Sequence, residues 1–366
     1  MTVRQSMHAV VVDGPGVVRL TEVPKPEPGP GEALVSVEAA GLCGSDLELL
    51  DGRRPPQFVR YPVVPGHEWS GRVAAVGPRV SAVAPGDLVV AEGIRGCGRC
   101  DRCRAGESNL CTTGYAETGF THPGAFAEFV CVPERLLHRL PETADPEHAA
   151  LLEPAACACS GLARVDLRAG QAVAVVGAGT LGLLATSILR STFPRRLALL
   201  GTRAERLEAG RRSGATETWD ARDGGTIQRL EAEFDLVFEA ANRPEGAASA
   251  VRLARRGGTV VLAGISGAGL ATIDPDAIAL RQLRLQGVFG ATADGWQWAI
   301  QLFAAGMLEA RHLATHRFGL ADFERAVATA RDPAARAIKV LVTRHAMAAT
   351  SRARARALAS TGSRPT

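Results

Sequence analysis

Cys43-Gly44-Ser45-Asp46 and, after a loop, Gly66-His67-Glu68 bring a thiol, an imidazole, a hydroxyl and two carboxylates into one short stretch. Thiolate and neutral imidazole are ligands that Zn2+ favours; the carboxylates can orient the imidazole, and the hydroxyl can move a proton. Such a set reads as an open, catalytic metal site. A buried cysteine and a core histidine that are near only in sequence form the plain alternative. Farther on, Cys97, Cys100, Cys103 and Cys111 supply four thiols within fifteen positions. Four sulfurs at that spacing can close a tetrahedral zinc shell, leaving no position for chemistry, so a structural lobe is expected. An iron-sulfur cluster competes for the same four cysteines. Arg95, Arg99, Arg102 and Arg104 also raise a nucleic-acid finger, but no second Cys/His pair or helix follows at finger spacing.

A third feature could hold a nucleotide. Val173 to Val176 is an apolar, strand-like run leading into Gly177-Ala178-Gly179-Thr180-Leu181-Gly182 and then a helical pattern. In a strand-turn-helix setting the first glycine makes the turn, the second lets the backbone approach a pyrophosphate, and the third packs helix on strand. A glycine-rich turn without a ligand is the alternative. At the end of the next strand, where an NAD-binding unit presents a carboxylate to the ribose, this chain has Gly201, then Thr202 and Arg203. Gly201 is read as leaving room for a 2′-phosphate, which Thr202 and Arg203 can bind with help from Arg206. NADP is therefore expected in preference to NAD; the alternative makes Arg203 an exposed helix-start residue stacking on adenine.

The elements that must position these groups follow from the texture of the chain. Its 366 residues exceed what one core usually organises, so two domains are expected. From Met7 to Ala40, short β-like pieces alternate with Pro-Gly clusters such as Pro28-Gly29-Pro30-Gly31, strands and turns dominate over helices, and the same texture continues through Arg72 to Gly77 and Pro85 to Val90 before changing near Glu142. From Gln171, apolar runs alternate with helical patterns, the rhythm of a parallel sheet. The fold class is thus α/β with a β-rich catalytic part. Boundaries fall at 1–150, with the cysteine lobe at about 93–112, then 151–290 for the nucleotide domain, 291–343 for a return to the first domain, and a basic, disordered tail over 344–366. A net charge of +4 is too small to argue for nucleic acid. No run is long and apolar enough for a membrane helix and no signal sequence is apparent, so a cytoplasmic, membrane-free protein is expected, with its eight cysteines serving metals and not disulfides.

Taken in order and spacing, Cys43-Gly44-Ser45-Asp46, Gly66-His67-Glu68, the four-Cys lobe, Gly124-Ala125-Phe126-Ala127-Glu128, Glu153-Pro154 and the Gly177–Gly182 fingerprint resemble the zinc-dependent medium-chain dehydrogenase/reductase family from about Met7 to Arg344. The resemblance implies a GroES-like domain and a Rossmann domain with the active site between them, two zinc ions per chain, and a homodimer or homotetramer. It also implies Cys43, His67 and Glu153 as catalytic zinc ligands, and Glu68 as a carboxylate that can join or leave the zinc. Asp46 would orient the imidazole, and Ser45 would be the hydroxyl that passes the alcohol's proton onward. Cys157 and Cys159, close to Glu153, are read as core thiols. Many relatives carry a histidine three residues after the relay hydroxyl; here Glu48 stands there and either ends the relay or leaves it to another route. Hydride passes between the carbinol carbon and a nicotinamide. The wording around Cys43 and Glu153 is similar to the polyol, sugar and threonine branches. Tyr61 to Gly71, with Glu117 to Thr121, is similar to the 2-deoxy-scyllo-inosamine dehydrogenases of aminoglycoside pathways. A hydroxylated small molecule, with an aminocyclitol as candidate, is the expected substrate; a threonine or sorbitol type and a ketone reductase are the alternatives. Glu92 and Glu117 are read as surface carboxylates, with partnership to an amine or hydroxyls as the second reading.

Overall fold

The computed structural model describes residues 5–267 and 269–344, so the basic tail lies, past Arg344, outside the described residues. The chain divides into two units. The first comprises residues 5–96, 113–153 and 314–344; the second comprises 97–112 and 154–313.

The spine of the first unit is the strand Glu32–Leu42, whose Ala, Leu and Val positions are buried on both faces. Small and β-branched side chains suit such a two-sided strand because they pack closely without leaving a polar group dry. It pairs antiparallel with Glu68–Val76, Phe129–Pro133 and Lys339–Thr343. Leu88–Ala91 and Leu137–Arg139 extend the sheet on one side, and Ala314–Phe318 on the other. Trp69, Phe120, Phe126 and Val340 fill the core against this sheet. A separate hairpin, Ser6–Gly14 with Val17–Pro24, lays Ala9 and Val11 against Val64 and Ala127. Just before His67 the chain must pass the Phe126 ring. Gly66 does so at φ +100, where an added Cβ would lie 2.9 Å from the Phe126 nitrogen and 3.1 Å from its ring. Only glycine combines that dihedral with that approach.

The second unit carries six parallel strands: β1 (Ala172–Val176), β2 (Arg196–Gly201), β3 (Glu217–Asp220), β4 (Phe234–Glu239), β5 (Ala254–Leu262) and β6 (Arg284–Gly287). They run in the order β3-β2-β1-β4-β5-β6. This is the doubly wound dinucleotide order, with the reversal at β1. Every residue of β1 is buried, as expected of a central strand covered on both faces.

Two domain readings are corrected. The chain rejoins the first unit at residue 314, not 291, because the helix Ala293–Ala304 is held in the second unit: Thr292 donates its backbone N–H to Ser160 Oγ at 2.9 Å, and Gly295 approaches the same hydroxyl. The cysteine lobe also groups with the second unit. Ala293 donates to the Gly106 carbonyl at 2.9 Å, Asn109 to the Phe289 carbonyl at 2.8 Å, and Arg164 to Glu107 at 2.7 Å. Among the described residues no helix is long and apolar enough to cross a membrane.

Candidate active site

Strand register assembles the metal cluster. Gly41 lies opposite Glu68, and Leu42 opposite Val340, so the start of two strands and the end of a third meet at Cys43. Cys43 then caps the helix Gly44–Leu50, where Asp46 Oδ2 accepts from the Cys43 backbone N–H at 2.9 Å. This helix lies between the β-like stretches read from the sequence and carries no long apolar pattern of its own. Cys43, His67 and Glu68 each offer one ligand atom, and the three atoms lie within 4.8 Å of one another. The separation suits a shared metal, which would draw them together.

The polar atoms around this trio support the same conclusion. Asp46 is fully buried, and its Oδ1 stands 3.5 Å from His67 Nδ1; neither atom makes a hydrogen bond. Facing a carboxylate with Nδ1 leaves Nε2 for a metal, the arrangement in which a carboxylate orients a ligating imidazole. Burial pushes the His67 imidazole down, but Asp46 and the Cys43 sulfur outweigh it and hold the ring well above 6.5. The site thus favours a positive charge at its centre. A metal ion supplies that charge and releases the proton, so these residues fit zinc.

Glu68 has a partner that the sequence did not reveal. Lys339, 3% exposed, donates from Nζ to Glu68 Oε2 and to the Leu42 carbonyl at 3.1 Å. Burial works against its charge, while Glu68 and the Cys43 sulfur more than restore it and raise the ammonium above 10.5. A side chain at Gly41 would collide with the Glu68 carboxylate, so the pair fills the whole space beside the strand. Glu153, at the start of the helix Leu152–Leu162, is outside the cluster of ligand atoms. Cys159 is completely buried, which pushes its thiol far up, as the core reading expects.

Ser45 Oγ donates to Cys43 Sγ at 3.2 Å and so sits beside the metal cluster. Glu48 follows three residues on in the same helix, on the same face. It is half-buried. Glu92 is half-buried and lies 3.3 Å from His138 Nε2. Glu117 is not a surface carboxylate at all. It is buried and paired with Arg54 at 3.1 Å, and burial, only partly offset by His67 and Arg54, pushes it up to about 7.

In the second unit the four lobe sulfurs also lie within 4.8 Å of one another. Backbone N–H groups point at them: Cys97 to Cys111, Cys100 to Cys97 and Cys103 to Cys100, each at 3.4 Å. Such donors stabilise thiolates, and no disulfide consumes them. The fingerprint behaves as its glycines require. Gly177, at φ +109, has Ala240 backbone atoms 2.6 Å from where a Cβ would be, and a Cβ on Gly182 would strike the Gly177 carbonyl. Gly179, capping the helix Thr180–Arg190, has nothing within 4 Å of that position, so its backbone is open to a ligand. Thr180 and Leu181 form the first turn of the helix, the end whose dipole and N–H groups favour an anion. The place of Gly201 corrects the reason given for it: a Cβ there would lie 2.7 Å from Ala178 Cβ and 3.1 Å from Leu207. Glycine therefore serves close packing against the fingerprint turn and not room for a phosphate.

Comparison with known proteins agrees with this geometry. Residues 29–142 match the alcohol dehydrogenase GroES-like domain, and residues 180–305 match the zinc-binding dehydrogenase domain. A sorbitol dehydrogenase from Bacillus subtilis is 29% identical, over 93% of this chain and 98% of its own. An L-threonine 3-dehydrogenase from Anaeromyxobacter sp. is 32% identical, over 85% and 91% respectively. A crystal structure from Sinorhizobium meliloti, described as a zinc-binding dehydrogenase bound to NADP, superimposes with a TM-score of 0.87 at 34% identity, covering 93% of this chain and all of that one. The chain belongs to the zinc-dependent medium-chain alcohol and polyol dehydrogenases. It is an oxidoreductase acting on CH–OH with a nicotinamide cofactor, and the fold reading of a GroES-like domain with a Rossmann domain is borne out.

Proposed function

We propose that this enzyme oxidises a secondary alcohol of a polyol, sugar or aminocyclitol, with 2-deoxy-scyllo-inosamine as candidate, and that it uses NADP in preference to NAD. The observation that carries the reaction is the Cys43/His67/Glu68 cluster with Asp46 behind the imidazole. Zinc held there supplies Lewis acidity that lowers the pKa of an alcohol, and the nicotinamide supplies the hydride acceptor. Glu153 is proposed as the further ligand, while Lys339 holds Glu68 as a carboxylate that can join or leave the ion. Ser45, hydrogen-bonded to Cys43, accepts the alcohol's proton as its own passes on, and Glu48 one turn away carries the proton to solvent. A second, structural zinc in the Cys97/Cys100/Cys103/Cys111 lobe completes two ions per chain.

NADP preference is supported by charge. Burial, and then the neighbouring Arg203, push the Arg206 guanidinium below its usual range. Two cations held that close without a carboxylate at position 201 favour an added anion, which a 2′-phosphate provides. A homodimer or homotetramer is proposed on the edge strand β6, whose Leu285 is 41% exposed. Light scattering tests it, and a monomer would refute it. The function is tested by following nicotinamide absorbance with 2-deoxy-scyllo-inosamine, inositols, sorbitol and threonine, each with NADP+ and NAD+. Turnover of a ring alcohol, best with NADP+, is expected; turnover of threonine alone would move the enzyme to the threonine type.

A further inference from the structure

Beside the metal cluster lies a buried ion pair that the reaction as described does not use. Arg54 and Glu117 have side chains only 11% and 10% exposed. Arg54 Nη2 donates to Glu117 Oε2 at 3.1 Å and to the Tyr115 hydroxyl at 2.8 Å, and Nε donates to the Phe58 carbonyl at 3.0 Å. The guanidinium stacks 3.5 Å over the Phe120 ring, whose centroid is 4.8 Å from that of His67. Glu117 Oε1 receives no hydrogen bond from a described residue. One point, where a Cβ on Gly93 would lie, is 3.4 Å from Oε1 and 4.0 Å from His67 Cβ. His67, Glu153 and Asp46 all act on the charge of Glu117. A spare acceptor is thus held on the same side of Gly93 as the His67 side chain, at the end of a network anchored by three donor contacts.

Burying two opposite charges is costly unless they have work that an apolar pair could not do. This pair has no net charge, yet it presents an acceptor on Glu117 that the guanidinium does not occupy. We propose that Arg54 and Glu117 form a specificity-determining pair that reads a neutral vicinal diol of the substrate and rejects its phosphorylated counterpart; this rests on the proposed function. A hydroxyl beside the reacting carbinol donates to Glu117 Oε1. A phosphate is turned away, because the Arg54 guanidinium is already committed to Glu117, Tyr115 and the Phe58 carbonyl, and the open oxygen belongs to a carboxyl group.

The test compares specificity constants for a ring polyol, its monoamino analogue and its monophosphate in the parent enzyme, Glu117→Gln and Arg54→Gln. Losing a hydrogen bond to a charged group lowers kcat/KM for the polyol by roughly 10- to 100-fold. The two substitutions also move selectivity in opposite directions. Glu117→Gln leaves Arg54 uncompensated and raises phosphate over polyol; Arg54→Gln leaves Glu117 uncompensated and raises amine over polyol. A role in folding alone would lower all three together. Should Arg54→Gln fail to fold, Glu117→Gln and Arg54→Lys carry the comparison, the latter keeping the charge and therefore moving the selectivity ratios less than Glu117→Gln does. Selectivity ratios unchanged from the parent would overturn the pair while leaving the function standing. Absence of polyol turnover by the parent would overturn the function and the pair with it.

Discussion

Replacing Lys339 by Met removes the only cation shown in contact with Glu68 and keeps the apolar volume. Both side chains are almost fully buried, at 3% and 2% exposure, so water cannot compensate the carboxylate left behind. Breaking one partner of such a pair costs about 3–5 kcal/mol, far more than a surface pair, because an isolated buried charge remains. At about 2–4 °C per kcal/mol for a unit of this size, the melting temperature of the metal-free protein should fall by roughly 6–20 °C. The companion variant Glu68→Gln/Lys339→Met removes both charges and should recover most of the loss. Zinc should stabilise Lys339→Met more than the parent, since Glu68 then has only the metal to pair with. Calorimetry of the chelated and zinc-loaded proteins measures all of this. A Lys339→Met protein melting within about 2 °C of the parent, which corresponds to less than 1 kcal/mol, would show that the pair is not a buried ion pair, and the reasoning would fall.

Cys43→Ser should abolish turnover while nicotinamide-nucleotide binding, followed by fluorescence, stays intact; activity near the parent's would remove Cys43 from the metal site. Arg203→Ala should lower the ratio of kcat/KM for NADP+ over NAD+ by about 10- to 100-fold, the loss of one charge-assisted contact, and an unchanged ratio would refute the phosphate reading. Cys103→Ser should cut the zinc content, measured by atomic emission, from two ions per chain to one. His312 supplies a pH test. Burial, and then Arg212, hold its imidazole below 6.5, with Nε2 3.2 Å from the Ala209 carbonyl and 3.1 Å from Ser213 Oγ. The unfolded chain therefore binds the proton first, and stability present above pH 6.5 is lost as pH falls through the folded value. His312→Gln should flatten that decline in urea titrations between pH 7 and 5; an unaltered slope would refute it.

What could be read from sequence depended on distance along the chain. The strand-turn-helix of Val173 to Arg190 and the four cysteines from Cys97 to Cys111 are local patterns, and their structures follow the reading closely. β3 escaped because Glu217-Thr218-Trp219-Asp220 is a half-buried edge strand with no apolar run. Nothing local marks Lys339 as a partner of Glu68; only the pairing across 271 residues reveals it. The burial of Glu117 is not legible locally because its partner Arg54 lies 63 residues away in another loop. The close packing of Gly201 was hidden for the same reason, since Ala178 belongs to a different strand end.

The pairing of Glu68 with Lys339 also sets an order of events during synthesis. The chain leaves the first unit at residue 153 and returns only at 314, so the whole nucleotide unit emerges from the ribosome before the lysine does. Until then Cys43, His67 and Glu68 lie in a sheet missing one of its inner strands, and the carboxylate has no cation beside it. Long-range pairings of this kind form late, after loop closure over the intervening chain. A nascent chain can therefore hold a folded nucleotide unit before its metal centre is finished, and competence for chemistry arrives with the last strand made.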